Sequence, residues 1–395
     1  MSTPTTIVPL SVPQLGGNDR KYLQECLDST FVSSVGPFVE RFERELAAYV
    51  GARYAVAVSS GTAALHVALL AAGVEPGDGV LMPALTFIAP ANAVRYIGAQ
   101  PIFMDVEPDY WQIDVEKVAD FLRNECRRDA NGLRHVESGR RVRALLPVHL
   151  LGHPCDMGPL MELASAYDLV VVEDATESLG ARYRDRHTGT FGRAGCFSFN
   201  GNKIITSGGG GMIVTDDAAV ARRAKYLSTQ AKDDPIEYVH DTIGFNYRLT
   251  NVQAALGCAQ LEMLDGFVAH KQALAARYRR ALDGVPGINY MRQAPWAQAS
   301  FWLSTVTVDA PVFGTDSRGL MRILATHGIE SRPLWRTLTR LRPYQSAPAY
   351  RIEHADRLHR DCLSLPSSTG LPLDEASRIA GMIAAAAHAP EKQTS

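Results

Sequence analysis

The sequence has no paired-cysteine motif, no long apolar run and almost no net charge. Its six cysteines are scattered, without a C-x-x-C pair or metal-ligand spacing, which argues against a disulfide framework or a zinc centre and for reduced, mostly buried thiols. No stretch is apolar over the roughly 20 residues of a transmembrane helix, and the first residues lack a signal-peptide pattern. The formal charge of −2 provides no general attraction to nucleic acid. We therefore expect a cytoplasmic protein with no metal, membrane or nucleic-acid partner.

The length of 395 residues exceeds what one compact core usually holds, so two domains are expected. The first two-thirds of the chain alternates helical patterns with short runs rich in Val, Ile and Leu, as in a parallel sheet covered on both faces. Seven strands are predicted, at residues 54–58, 80–83, 101–105, 144–148, 169–173, 196–199 and 212–215.

The pattern changes at Thr250, after which apolar residues recur every three or four positions as far as Phe267. This spacing predicts one long amphipathic helix with Thr250 as its N-cap. The remainder combines a strand-like stretch at 301–309 with helical segments. We expect an α/β fold with a large, mostly parallel seven-stranded domain over residues 1–255, followed by a linking helix and a smaller α+β domain over residues 256–395.

Several predicted strands end at polar or aromatic residues, and ligands collect at the carboxyl ends of parallel strands. The turn S-S-G-T, which contains Gly61 and Thr62, leads into a helix whose N-terminus favours a phosphate group. An ordinary helix cap fits this turn equally well. Phe87 follows the next strand, where an aromatic ring could cover a flat ligand or simply pack in the core.

The run L-V-V-V-E-D places Glu173 and Asp174 at the end of a buried strand. A buried acid is costly unless it is paired, and a protonated pyridine nitrogen would be a suitable partner. A structural salt bridge or a helix cap is the alternative at this point.

Lys203 lies in a polar turn followed by four consecutive glycines at 208–211. Most lysines are solvated surface charges, but four glycines carry a large entropy cost and indicate close approach of the backbone to another group. A lysine with a lowered pKa is the usual residue for Schiff-base formation. The turn therefore makes Lys203 a candidate nucleophile.

The segments S-S-G-T-A-A-L, P-A-L-T-F, V-E-D-A-T-E-S-L-G and F-S-F-N-G-N-K-I-I-T-S-G-G-G-G, in this order, resemble the DegT/DnrJ/StrS sugar aminotransferases over nearly the whole chain. The resemblance implies the aspartate-aminotransferase-like fold, which is fold type I of the pyridoxal-phosphate (PLP) enzymes. It also implies a homodimer with a shared active site, L-glutamate and a nucleotide-linked keto sugar as substrates, and pyridoxamine phosphate as an intermediate form of the cofactor.

The resemblance also assigns roles to individual residues. Lys203 would form the Schiff base and then move the proton between the substrate and the cofactor, Asp174 would pair with the ring nitrogen, and Phe87 would stack on the ring. The cofactor phosphate would be bound by Gly61, Thr62 and Ser198.

Five further residues complete the predicted site. Asn246, in the G-x-N-x-R motif, would reach the phosphate bound by the partner subunit. Glu177 occupies a cofactor-binding position beside the phenolic oxygen, where many members have Gln or His. Arg248 and Arg332 are candidates for substrate contacts by charge and position, and His149, at the end of a strand, is either a pocket residue or a structural histidine.

Three segments are similar to the LegC subgroup: L-S-V-P-Q-L-G-G, T-Q-A-K-D-D-P-I-E-Y-V-H-D and I-E-S-R-P-L-W. This similarity implies amination at C4 of UDP-2-acetamido-2,6-dideoxy-4-keto-hexose. A GDP- or dTDP-linked sugar, a C3 ketone, an amino-acid aminotransferase and a non-catalytic regulatory protein with the same fold remain alternatives.

Overall fold

The computed structural model describes residues 7–130 and 132–387. Its helices alternate with the strands over the first two-thirds of the chain. The α-helices are α1 (Asp19–Asp28), α2 (Pro37–Val50), α3 (Gly61–Ala71), α4 (Ala89–Tyr96), α5 (Val115–Asn124), α6 (Met157–Ala166), α7 (Ala218–Ser228), α8 (Asn251–Leu261), α9 (Leu264–Leu282), α10 (Ala310–Phe313), α11 (Ser317–Thr326), α12 (His354–Asp361) and α13 (Leu373–Ala386). Short 3-10 turns occur at Leu150–Gly152, Leu338–Arg340 and Arg342–Tyr344.

The strands form four sheets. They are β1 (Tyr54–Val58), β2 (Gly79–Pro83), β3 (Gln100–Met104), β4 (Cys126–Asp129), β5 (Gly132–His135), β6 (Val142–Leu145), β7 (Val170–Asp174), β8 (Arg182–Tyr183), β9 (Arg186–His187), β10 (Ala194–Ser198), β11 (Gly211–Thr215), β12 (Ile288–Tyr290), β13 (Ala297–Gln298), β14 (Ser304–Val308), β15 (Arg332–Pro333), β16 (Ala349–Tyr350) and β17 (Cys362–Leu365).

The large sheet has the strand order β1-β11-β10-β7-β6-β2-β3-β16. All seven strands predicted from the sequence form, each within a few residues of its predicted bounds. The prediction of seven strands was one short, because β16, only two residues long, joins the edge of the sheet beside β3. Five of the seven pairings are parallel, and β11 runs antiparallel to both of its neighbours. The predicted α/β class and mostly parallel sheet are confirmed.

A second sheet, with the order β12-β14-β17-β15, is antiparallel and comes entirely from the later part of the chain. Helices α9, α11 and α13 cover it through a core that includes Leu274, Tyr278 and Ile379. Because β16 belongs to the large sheet, the later part of the chain contributes to both sheets. The division at residue 255 stays a prediction.

The single long helix predicted from Thr250 is wrong, because the chain forms α8 and then α9. Thr250 does cap α8, in a capping box with Gln253. The break falls at Glu262 and Met263, and the Glu262 carboxylate accepts hydrogen bonds from Tyr22 and Arg41. These bonds anchor the junction to α1 and α2, and α9 starts anew toward the second sheet.

The six cysteines are all buried and free, as the sequence predicted. Within residues 7–130 and 132–387, none of the helices is both long and apolar enough to cross a membrane.

Candidate active site

A cavity of about 330 Å³ lies at the carboxyl ends of β7 and β10, beside the N-terminus of α3. This is the edge of the sheet at which ligands are expected. The cavity brings together seven of the residues predicted from the sequence. These are Gly61, Thr62, Phe87, Asp174, Glu177, Ser198 and Lys203.

The N-terminus of α3 forms one wall of the cavity. Ser60 caps the helix by accepting a hydrogen bond from the N–H of Ala63 at 3.0 Å. A Cβ atom on Gly61 would lie 2.8 Å from the Cβ of Ser198, and one on Gly211 would lie 2.4 Å from the Ser60 carbonyl oxygen. Glycine is therefore required for the close approach of this turn to β10 and β11. The free N–H groups of a helix N-terminus, beside a serine and a threonine hydroxyl, fit a phosphate group.

Asp174 ends β7 with its side chain in the cavity, and it is only 2% exposed. Burial raises the pKa of its carboxyl group, while hydrogen bonds from Thr176 and the charge of Lys203 act in the opposite direction. The N–H of Thr176 donates to Oδ1 at 3.1 Å. When it is ionised, the buried Asp174 carboxylate needs a positively charged partner, and a protonated ring nitrogen would be one.

The neighbouring acid, Glu173, has a different environment because successive side chains point to opposite faces of a strand. Its carboxylate accepts hydrogen bonds from the N–H groups of Gly189, Phe191 and Gly192 at 2.6–2.8 Å. It also contacts Nε2 of His149 at 3.0 Å. Glu173 is a fully satisfied structural carboxylate.

His149 is fully buried and does not line the cavity. Its Nδ1 accepts a hydrogen bond from the N–H of Cys155 at 3.0 Å. Nδ1 is therefore unprotonated, and in the neutral ring Nε2–H donates to Glu173. Both ring nitrogens are satisfied, which places His149 behind the site as a support for β7.

Lys203 is partly buried, and its Nζ lies 4.1 Å from the centroid of the Trp302 ring. Burial lowers the pKa of the amine, and the charges of Glu177 and Asp174 partly oppose this shift. An amine with a lowered pKa in a cavity has the properties of a nucleophile and a proton carrier.

Glu177 is buried in the same cavity, where its carboxylate accepts a hydrogen bond from the N–H of Leu151 at 2.8 Å. Burial raises its pKa to about 7, with Lys203 acting in the opposite direction. Near neutral pH this carboxyl group exists in both protonation states.

The cavity also contains two residues that sequence reasoning missed, Trp302 and Trp335. Their rings stack with centroids 6.2 Å apart and planes 9° apart. The indole N–H of Trp302 donates to the carbonyl oxygen of Asn202, next to Lys203, at 2.7 Å. The sequence placed Trp302 inside a strand predicted at 301–309, and an aromatic residue in a strand does not indicate a site formed by distant residues. In the structure Trp302 lies just before β14.

Besides His149, three predicted site residues lie outside this cavity in the single chain. Asn246 is exposed, and Arg248 donates through Nε to the carbonyl oxygen of Ser34 at 2.9 Å. Arg332 is exposed on β15, with its guanidinium 3.9 Å from the Glu330 carboxylate. Phe87, in contrast, is at the cavity mouth and is 52% exposed.

Comparison with known proteins identifies the chemistry that this site supports. The sequence profile of the DegT/DnrJ/EryC1/StrS aminotransferase family matches residues 13–384. The chain is 37% identical over 373 residues to the GDP-perosamine synthase of Caulobacter vibrioides, covering 94% of this chain and 96% of that protein. It is 37% identical over 374 residues to the putative pyridoxal phosphate-dependent aminotransferase EpsN of Bacillus subtilis, covering 94% and 93%.

A solved structure agrees with these relatives. The crystal structure of DesV from S. venezuelae matches with a TM-score of 0.85 and 34% sequence identity, over 95% of each chain. The fold-type I architecture expected from the sequence is thereby confirmed. The chain belongs to the DegT/DnrJ/EryC1/StrS aminotransferase family and is a pyridoxal-phosphate-dependent sugar aminotransferase.

Proposed function

We propose that this aminotransferase moves the amino group of L-glutamate to the C4 ketone of a nucleotide-linked 4-keto-6-deoxy sugar. The observation that carries the proposal is the single cavity in which Lys203, Asp174, Phe87 and the α3 N-terminus meet. The Caulobacter vibrioides relative, a GDP-perosamine synthase, supports a nucleotide-linked sugar as the acceptor. The similarity of three segments to the LegC subgroup supports C4.

The cavity offers a separate group for each part of the cofactor. The N-terminus of α3, with Gly61, Thr62 and Ser198, would bind the phosphate, and Phe87 would cover one face of the ring at the cavity mouth. Asp174 would hold the ring nitrogen in its protonated form. PLP, when bound, supplies an aldehyde that the Lys203 amine can attack and a ring that withdraws electrons from the substrate.

Lys203 acts first as a nucleophile and then as a base. With L-glutamate bound in the cavity, the free Lys203 amine would take the proton from the α-carbon of this donor. Its lowered pKa leaves a larger neutral fraction than an exposed lysine would have. Asp174 and Glu177 provide the nearby negative charge that stabilises the amine after it has taken the proton.

The site is completed, in this proposal, by a second copy of the chain that contributes Asn246. Asn246 is exposed outside the cavity of its own chain, and the preceding segment exposes Ile236, Tyr238 and Ile243 to solvent. Contact with a partner would cover these apolar side chains.

Mixed dimers test this arrangement. A dimer of one Lys203→Ala protomer and one Asn246→Ala protomer retains one site with both intact residues if the site is shared. We expect activity to return on mixing two variants that are each inactive as homodimers. No recovery, with Asn246→Ala shown to impair cofactor binding, would contradict the sharing of the site.

The nucleotide is the less constrained part of the proposal. The Caulobacter vibrioides relative favours GDP, whereas the similarity of three segments to the LegC subgroup favours a UDP-linked N-acetylated sugar. Arg248 and Arg332 remain proposed contacts for the substrate, by charge and position.

A substrate panel decides between these forms. Purified protein is assayed for glutamate-dependent amination of 4-keto and 3-keto sugars linked to GDP, UDP and dTDP, and NMR of the product identifies the aminated carbon. We expect a C4 amine on one nucleotide. A 3-amino product, or faster turnover of keto acids than of any keto sugar, would overturn the proposal. Absence of a visible absorbance band with PLP would favour a non-catalytic role.

A further inference from the structure

Lys271, on α9, is a second buried lysine and lies outside the cavity. It is 2% exposed, and its Nζ donates to the carbonyl oxygen of Trp302 at 2.9 Å and to that of Ser367. Within the described parts of the chain, no carboxylate forms an ion pair with it. Burial lowers the pKa of this amine to about 7. Burying an amine without a counter-charge costs stability. The burial of Lys271 therefore suggests that its two hydrogen bonds serve a purpose in this segment.

The backbone next to Trp302 supplies one. Phe301 has a φ of +50°, a left-handed conformation that is unfavourable for a bulky residue and persists only when its surroundings hold it. Trp302, whose carbonyl oxygen accepts the hydrogen bond from Lys271, is the next residue in the chain. Gln272, also on α9, donates to the carbonyl oxygen of Ala299 at 3.1 Å. Helix α9 thus holds the segment on both sides of Phe301.

The side chain of Trp302 extends from this segment to Lys203. Its ring lies under the Lys203 amine at 4.1 Å, and its indole N–H binds the Asn202 carbonyl oxygen at 2.7 Å. An ammonium group over an indole ring is stabilised by a cation–π interaction. A continuous path of direct contacts therefore connects Lys271, through Trp302, to the turn that carries Lys203.

We infer that Lys271 is a positioning residue for the reaction, which fixes the Trp302 backbone so that the indole ring faces the Lys203 amine and holds its turn. This inference rests on the proposed role of Lys203. Lys271 touches neither the cavity nor the amine itself, so its effect must pass through Trp302.

The experiment is a double-mutant cycle of Lys271→Met and Trp302→Phe. PLP is added to cofactor-free protein, and its dissociation constant is measured from the visible absorbance band, followed by KM and kcat of the loaded enzyme. We expect each single variant to weaken PLP binding by about tenfold. The double variant should be little weaker than Trp302→Phe alone, because Lys271 acts through that residue. Lys271→Arg, which keeps the donors, should restore most of the affinity.

His270→Ala is the matched control. His270 is the adjacent residue on α9 and also bonds a backbone carbonyl, that of Leu371, at 2.8 Å. It has no bond to Trp302, so we expect its effect to multiply with that of Trp302→Phe. If the effects of Lys271→Met and Trp302→Phe also multiply, the inference is wrong.

Two further outcomes are assigned in advance. If Lys271→Met does not fold, the shorter donor Lys271→Gln takes its place in the cycle, and failure of both variants to fold would show that Lys271 serves only the fold. If the wild-type protein gives no band with PLP, the proposed function fails. Positioning is then judged in the cofactor-free protein from acrylamide quenching of the Trp302 fluorescence, obtained by subtracting the Trp302→Phe signal. Unchanged quenching in Lys271→Met would overturn the inference.

Discussion

Lys203 and Lys271 both contact Trp302, one at its ring and the other at its main-chain carbonyl, and burial lowers the pKa of both amines. Lys203 lines a cavity beside the carboxyl groups of Asp174 and Glu177. Lys271 is enclosed in the protein and bonds only backbone carbonyls among the residues described. The comparison shows that a lowered lysine pKa does not identify a nucleophile by itself. Access to a cavity and nearby acids distinguish Lys203, the proposed nucleophile, from Lys271.

The largest effect is expected from Lys203→Ala, which removes the proposed nucleophile. Amination should fall by about 10²–10⁴-fold or more, because both the nucleophile and the base are lost. The visible band of PLP should also disappear, whereas Lys271→Met should keep it with weaker cofactor binding. Absorbance spectra and steady-state rates of both variants check this prediction. An unchanged band and unchanged affinity in Lys203→Ala would contradict the role of this lysine.

Asp174→Asn tests the acid that distinguishes the environment of Lys203 from that of Lys271. Losing one partner of a buried ion pair costs about 3–5 kcal/mol, so turnover or PLP affinity should fall by at least about 10²-fold. Glu173, whose carboxylate is satisfied by backbone N–H groups, does not face the cavity. Near-wild-type turnover in Asp174→Asn would contradict the ring-nitrogen role.

Glu177→Gln tests the second acid of the cavity through the pH dependence of stability. The folded-state pKa of Glu177, about 7, is above the ordinary value of 4.5. Between these two pH values the native state therefore binds more protons than the unfolded chain. The contribution of Glu177 to the free energy of unfolding is complete below about pH 4.5 and is lost as the pH rises through 7. Denaturant unfolding of cofactor-free protein should show wild type losing about 1–2 kcal/mol relative to Glu177→Gln between pH 5 and 7. A difference that does not change with pH would show that Glu177 is ionised throughout.

Lys271→Met should give the opposite pH dependence and a smaller effect. The folded-state pKa of about 7 is below the ordinary lysine value of 10.5. The unfolded chain therefore binds more protons in that window, so the cost of burying Lys271 is complete below pH 7 and decreases as pH rises toward 10.5. Unfolding between pH 7 and 8 should show wild type gaining about 1 kcal/mol relative to Lys271→Met. No change over this window would mean that Lys271 stays protonated in the folded protein, as a stabilised ammonium does.

The sequence predicted the large sheet well because each of its strands has a local signal. The parallel strand Val170–Asp174, for example, is buried throughout and begins with three consecutive valines. The two-residue strand Ala349–Tyr350 has no such signal and forms only because β3 lies beside it. The division between α8 and α9 was missed for a similar reason, since the apolar spacing continues across Glu262 while bonds from α1 and α2 anchor the break.

The residues of the candidate site also divide into those with a local sequence signal and those without one. Gly61, Asp174 and Lys203 each lie at a strand end or turn with a recognisable sequence, so the sequence alone could propose them as site residues and predict the aminotransferase family. Trp302, Trp335 and Lys271 are distant from these motifs in the chain, and no local pattern relates them to Lys203. Only the packing of α9 and the second sheet against the large sheet brings them together, because contacts between distant residues depend on how whole elements pack.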